Sequence, residues 1–100
     1  MDLDFIQKEI RNRGVKMGIK PQNSIEIMLG VAEEMGEVAK EVALFEKVGN
    51  KINWKRQPDK NLLSEEISHL LVNIISLASF YDISVTEMMK NLFENKLDNR

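Results

Sequence analysis

Apolar residues recur every three or four positions along this chain and rarely alternate with polar ones, a rhythm that predicts helices and no strand. The first predicted helix covers about Leu3 to Met17, with Leu3, Ile6, Ile10 and Met17 on one face and Gly14 placed to fray its end. Gly18 to Gln22, with Pro21, breaks the rhythm, and Asn23 followed by Glu26 has the spacing of a capping box. It opens a second helix, about Ser24 to Val48, whose predicted core stripe is Met28, Val31, Ala32, Met35, Val38, Ala39 and Val42. Gly49-Asn50 is the expected stop. The third helix, about Leu62 to Tyr81, is apolar over so wide an arc that contact on more than one side is expected, one flank meeting a second subunit. Ser84 and Glu87 form a second capping-box pair and open a fourth helix, about Val85 to Leu97. The expectation is an all-α chain of four helices in an antiparallel bundle.

Length and composition sharpen that picture. One hundred residues make one domain, 1–100, and 43% of them are hydrophobic, enough for a core. A chain this short buries only about two-thirds of its unfolded surface. Completion of the bundle by a homodimer or homotetramer is therefore expected. The absence of cysteine excludes disulfides, thiolate metal sites and a thiol nucleophile. A net charge of −2 argues against a nucleic-acid polymer as partner, because phosphate binding draws on basic excess. The acidic start MDLDF does not resemble a signal peptide, and no window approaches the roughly 20 apolar residues of a membrane span. These features predict a cytoplasmic protein without a membrane partner.

The chemistry lies on helices two and three. At about 100° per residue, Glu34, Glu37 and Glu41 fall within roughly 60° of one another, beside the predicted core stripe. Like charges at that spacing repel, so a compensating group is expected. On the third helix Glu66, His69, Asn73 and Ser76 form a narrow polar stripe bounded by Leu62 and Phe80. Antiparallel packing would set Glu34 and Glu37 opposite Glu66 and His69. Converging carboxylates raise each other's pKa unless a cation neutralises them, and Mg²⁺ suits oxygen ligands that also meet phosphates. Taken singly, an acidic run such as Glu33-Glu34 is more often a solvated face, and a lone histidine more often a satisfied core residue.

The run Glu33-Glu34-Met35-Gly36-Glu37-Val38-Ala39, followed after a linker by Glu65-Glu66-Ile67-Ser68-His69-Leu70-Leu71, resembles the MazG-type all-α nucleotide pyrophosphohydrolases, whose signature is ExxE on one helix and ExxD on the next. Asn95-Lys96-Leu97-Asp98-Asn99-Arg100 resembles that family's terminal segment, and the likeness spans about Ser24 to Arg100. The resemblance implies Glu34, Glu37 and Glu66 as Mg²⁺ ligands, with Asn95, Lys96 and Arg100 on the substrate phosphates. It implies cleavage of a nucleoside triphosphate between its α and β phosphates, with Glu37 or Glu41 accepting a proton, near a subunit interface. The family's aspartate falls at His69, whose imidazole suits Mn²⁺ or another transition ion better than Mg²⁺ and places activity itself in question.

The connection Asn50 to Asn61 is long for a helical bundle, and Lys47 to Lys60 holds five cations against Asp59 alone. Trp54 there either stacks on a nucleobase or plugs the loop. Lys51, Lys55 and Arg56 either neutralise phosphates or solubilise the surface, and Asn73 is a candidate for a metal-bound water or a substrate group. Three alternatives to a triphosphate pyrophosphohydrolase stand beside it: a phosphoribosyl-ATP pyrophosphohydrolase, with the run His69-Leu70-Leu71-Val72 in its favour; a degenerate nucleotide- or metal-binding relative; and a plain structural helical oligomer.

Overall fold

The computed structural model describes residues 1–16, 22–49 and 54–94. Among them are four helices and no strand: α1 (Leu3–Lys16), α2 (Ser24–Glu46), α3 (Lys60–Phe80) and α4 (Val85–Phe93). The all-α expectation therefore holds, and the differences lie at the helix ends. Asn23 caps α2 as a complete capping box, its side chain accepting from Glu26 N–H at 2.8 Å while Glu26 accepts from Asn23 N–H. Ser84 Oγ accepts from Glu87 N–H at the start of α4. The stop of α2 comes at Lys47, earlier than expected, in the left-handed region at φ 53° with its N–H on the Ala43 carbonyl. Helix α3 begins at Lys60 because Asp59 caps it, accepting from Asn61 N–H.

Helices α2 and α3 run antiparallel as the main contact of the chain. Gly30 of α2 lies against Asn73, Glu34 against His69, and Val42 lines a groove with Ile67, so numbers rise along one helix as they fall along the other. Gly30 permits the close approach: a Cβ there would sit 3.4 Å from Asn73 Nδ2. Helix α1 packs on α3 and α4 at the far end of the pair. Gln7 is the clasp: its amide nitrogen donates to Ser79 Oγ and the Ile83 carbonyl, and its oxygen accepts from Val85 N–H.

The predicted core stripe of α2 needs correction. Val31 is buried and Val38 half-buried, but Met28, Ala32, Met35, Ala39 and Val42 are exposed. The side of α2 that this chain covers carries Ile27, Val31, Glu34, Val38, Glu41 and Leu44 instead, so two of the carboxylates stand within the stripe and not beside it. The cause is that α2 is apolar around more than half its circumference, and periodicity alone does not choose which apolar side meets α3. Among the described residues only Ile27, Val31, Leu44 and Val85 are buried hydrophobic ones, and no residue of α3 is buried. The radius of gyration is 16.5 Å, against about 13 Å for a compact chain of this length.

Helix α3 also corrects the reading of membrane-span length. Alone among the described helices, it is long and apolar enough to cross a bilayer, with mean hydropathy 1.2 over an 18-residue window. Between Glu66 and the helix end only His69, Asn73 and three serines interrupt the apolar residues.

Candidate metal centre

The α2–α3 contact brings three candidate ligands together. Glu34 projects from the covered side of α2, while Glu66 and His69 stand three residues apart on α3, so one helical turn presents both. One ligand atom from each lies within 4.8 Å of the other two. Glu34 Oε2 is shielded from solvent and makes no hydrogen bond, and His69 Nδ1 stands 3.9 Å from it. A shielded carboxylate oxygen without a donor is costly, because its solvation is lost and not replaced.

The electrostatics agree with an under-neutralised cluster. The Glu66 carboxyl is raised from its ordinary value, first by partial loss of solvent, then by the negative charges of Glu34 and Glu37 and by the hydrogen bond that only its protonated form can donate toward Glu34; His69 opposes the shift. A divalent cation held there would oppose that rise by favouring the ionised form. Two carboxylates and one imidazole make a mixed oxygen–nitrogen donor set able to hold a metal ion, and imidazole favours the first-row transition ions. The donor set fits such an ion, and nothing in it singles out Mg²⁺.

The remaining predicted residues separate into three groups. Glu37 stands next to the cluster, close enough to act on Glu66, and forms an ion pair with Lys40 at 2.8 Å that raises the lysine. Glu41, one turn further along α2, is 4% exposed; its Oε2 accepts from the Arg56 guanidinium at 2.7 Å, while Oε1 is shielded and has no hydrogen-bond partner. Asn73 lies one turn beyond His69, half-buried against Gly30. Trp54 is 44% exposed in the segment leading to α3. Asn95, Lys96 and Arg100 lie outside the described residues, as does Lys51.

Two residues that matter here escaped the sequence reading. Arg56 was read as a phosphate partner or a surface charge, yet it neutralises Glu41 across the loop. The available signal was charge balance: four cations between α2 and α3 follow a helix with six acids. Gln7 had no such signal, because a glutamine within an amphipathic helix looks like any solvated residue. Comparison with protein-family models, with curated proteins and with solved structures gave no match to this chain. Its function is therefore argued from the cluster and its surroundings.

Proposed function

We propose that this chain is a metal-dependent nucleotide pyrophosphohydrolase that releases pyrophosphate from a nucleoside triphosphate, and that it resembles the MazG type for that reason. The observation that carries the reading is the convergence of Glu34, Glu66 and His69 from two facing helices around a shielded oxygen without a hydrogen-bond partner. Those three residues would hold the ion, with Glu37 beside them. A bound divalent ion supplies charge neutralisation on the phosphates and lowers the pKa of a coordinated water.

The chain's own groups divide the other tasks. Glu37 is half-exposed and salt-bridged to Lys40, which leaves it accessible to take a proton from a water at the mouth of the cluster. Glu41, buried and already paired with Arg56, serves better as the anchor that holds the loop against α2. Asn73 can donate from its amide to a phosphate or a metal-bound water. Asn95, Lys96 and Arg100 keep their proposed phosphate contacts on the strength of the resemblance. The ion is Mg²⁺ or, given His69, Mn²⁺. With so small a core, the reading includes further copies of the chain completing the bundle.

His69 favours a second reading, in which the cluster binds metal or nucleotide without turnover. Pyrophosphate release from a panel of nucleoside triphosphates and from phosphoribosyl-ATP, with Mg²⁺ and with Mn²⁺, decides between them. Turnover that disappears in Glu37→Gln supports the enzyme. No turnover by the natural chain, with activity appearing in His69→Asp, would leave a binder on an intact scaffold.

A further inference from the structure

Helix α2 carries six glutamates and a single basic residue, Lys40. Lys40 stands on the same side of the α2–α3 pair as Glu37, about 60° further round the helix, and donates to Glu37 Oε2 at 2.8 Å. The exposed apolar rows of the pair, Met28, Met35 and Val42 on α2 and Ile67, Leu71 and Ile74 on α3, lie on the opposite side. Lys40 also feels the next ion pair along the helix. Its ammonium is raised first by the hydrogen bond to Glu37 and by that residue's charge, and further by Glu41, with partial loss of solvent and Arg56 opposing. Glu37 acts in turn on Glu66. A line of interacting charges therefore runs from the candidate metal centre through Glu37 and Lys40 to the Arg56–Glu41 pair.

The two cations on this line are held in different ways. Arg56 pairs with Glu41, which is 4% exposed, and its departure would strand a shielded charge, so that pair is fixed. Lys40 pairs with a half-exposed carboxylate and is itself 38% exposed. An ion pair so open to water contributes little, and its members exchange partners readily. Lysine suits exchange, because a compact ammonium on a flexible four-carbon stem turns between acceptors without the geometric demands of a guanidinium fork. Lys40 is six residues from Glu34, about 9 Å along the helix axis. A lysine stem reaching back and a phosphate chain reaching out from the cluster together span that separation.

We propose that Lys40 is an exchangeable counter-ion, which neutralises Glu37 in the metal-free chain and turns to the outer phosphates of the nucleotide once Glu37 is neutralised by a bound ion. One positive charge thus serves two states of the site. Metal and polyphosphate are coupled through it, each favouring the binding of the other. The inference rests on the metal centre and the phosphate-bearing ligand of the proposed function, and not on turnover.

Two titrations of the full chain test it, and neither reads activity. The electron paramagnetic resonance signal of free Mn²⁺ gives the affinity for metal alone. Calorimetry with the 1:1 Mn²⁺–tripolyphosphate complex, on protein saturated with Mn²⁺, gives the affinity for phosphates. Lys40→Met should bind Mn²⁺ about threefold more tightly, because a competing charge is gone, and the tripolyphosphate complex about tenfold more weakly. Lys40→Arg should return both values to within about twofold of the natural chain, since each contact is a single charge-assisted hydrogen bond. The opposite signs are the signature. A solvated surface lysine would move neither value, and one that only holds Glu37 in place would weaken both. Either result overturns the proposal, as does a Lys40→Met chain that gains Mn²⁺ affinity and keeps its hold on tripolyphosphate. Failure of the wider reading looks different. A natural chain that takes up no Mn²⁺, or takes it up without tripolyphosphate, removes the proposed function and this inference with it, whereas binding of both that is indifferent to Lys40→Met removes the inference alone.

Discussion

The two faces of the α2–α3 pair are incomplete in opposite ways. One face gathers Glu34, Glu37, Glu66 and His69, and it is short of positive charge: a shielded oxygen of Glu34 has no donor and the Glu66 carboxyl is pushed up. The other face carries two apolar rows, with charge only at the end where Glu46 and Lys60 line the groove, and it is short of apolar cover. A polar deficit calls for a cation and an apolar one for another protein surface, because desolvated charge and exposed hydrocarbon are relieved by different partners. The same two helices can therefore be read as a binding site on one side and an assembly surface on the other.

Several measurements would break or sharpen that contrast. The largest effect should come from the side the chain already covers, where Leu44 is 2% exposed. Leu44→Ala should cost about 3 kcal/mol in chemical denaturation, the range for a buried leucine left as a cavity. Next is the cation. Mn²⁺ at a hundredfold excess over its Kd should stabilise the fold by about 2.7 kcal/mol, read as a rise in Tm, and the rise should vanish in Glu34→Gln and His69→Ala. Arg56→Met should then cost about 2 kcal/mol by leaving Glu41 shielded without its donor, a value reduced from the fully buried case because Arg56 is itself part-exposed. By contrast, Met35→Ala on the open face should change the stability of the dilute chain by less than about 0.5 kcal/mol, with a larger loss at high concentration.

The smallest expected effect is a pH slope, and its sign is fixed. Glu66 holds its proton better in the folded chain than in the unfolded one. Its contribution to stability is present below the unfolded value and is lost as pH rises through the higher folded value. In metal-free protein at neutral pH, Glu66→Gln should therefore raise Tm, and the difference from the natural chain should shrink toward acid. A variant less stable than the natural chain at neutral pH would show that Glu66 is already neutralised by the protein.

Much of this architecture was legible in the residues. Asn23 with Glu26 and Ser84 with Glu87 marked helix starts because a cap is a local hydrogen bond that short-range sequence encodes. Glu34, Glu66 and His69 could be brought together because helical spacing and antiparallel packing suffice to place them. What failed was the choice between two apolar sides of α2. Met28 and Met35 are as apolar as Ile27 and Val31, and the deciding facts are non-local: the approach of α3 over Gly30 and the arrival of Arg56 over Glu41. Lys47 in a left-handed cap was also missed, since lysine carries no preference for that conformation.

The Gln7 clasp has a consequence for how the molecule comes apart. One side chain from the first helix satisfies the N–H that opens the last one, a donor no residue of its own helix can reach, and grips the turn between α3 and α4 as well. Helices α1 and α4 are thereby coupled into one opening unit at one end of the helical pair. In hydrogen–deuterium exchange the amide of Val85 should keep time with the detachment of α1 and not with the fraying of α4, and Gln7→Ala should release that amide while leaving the centre of α2 protected.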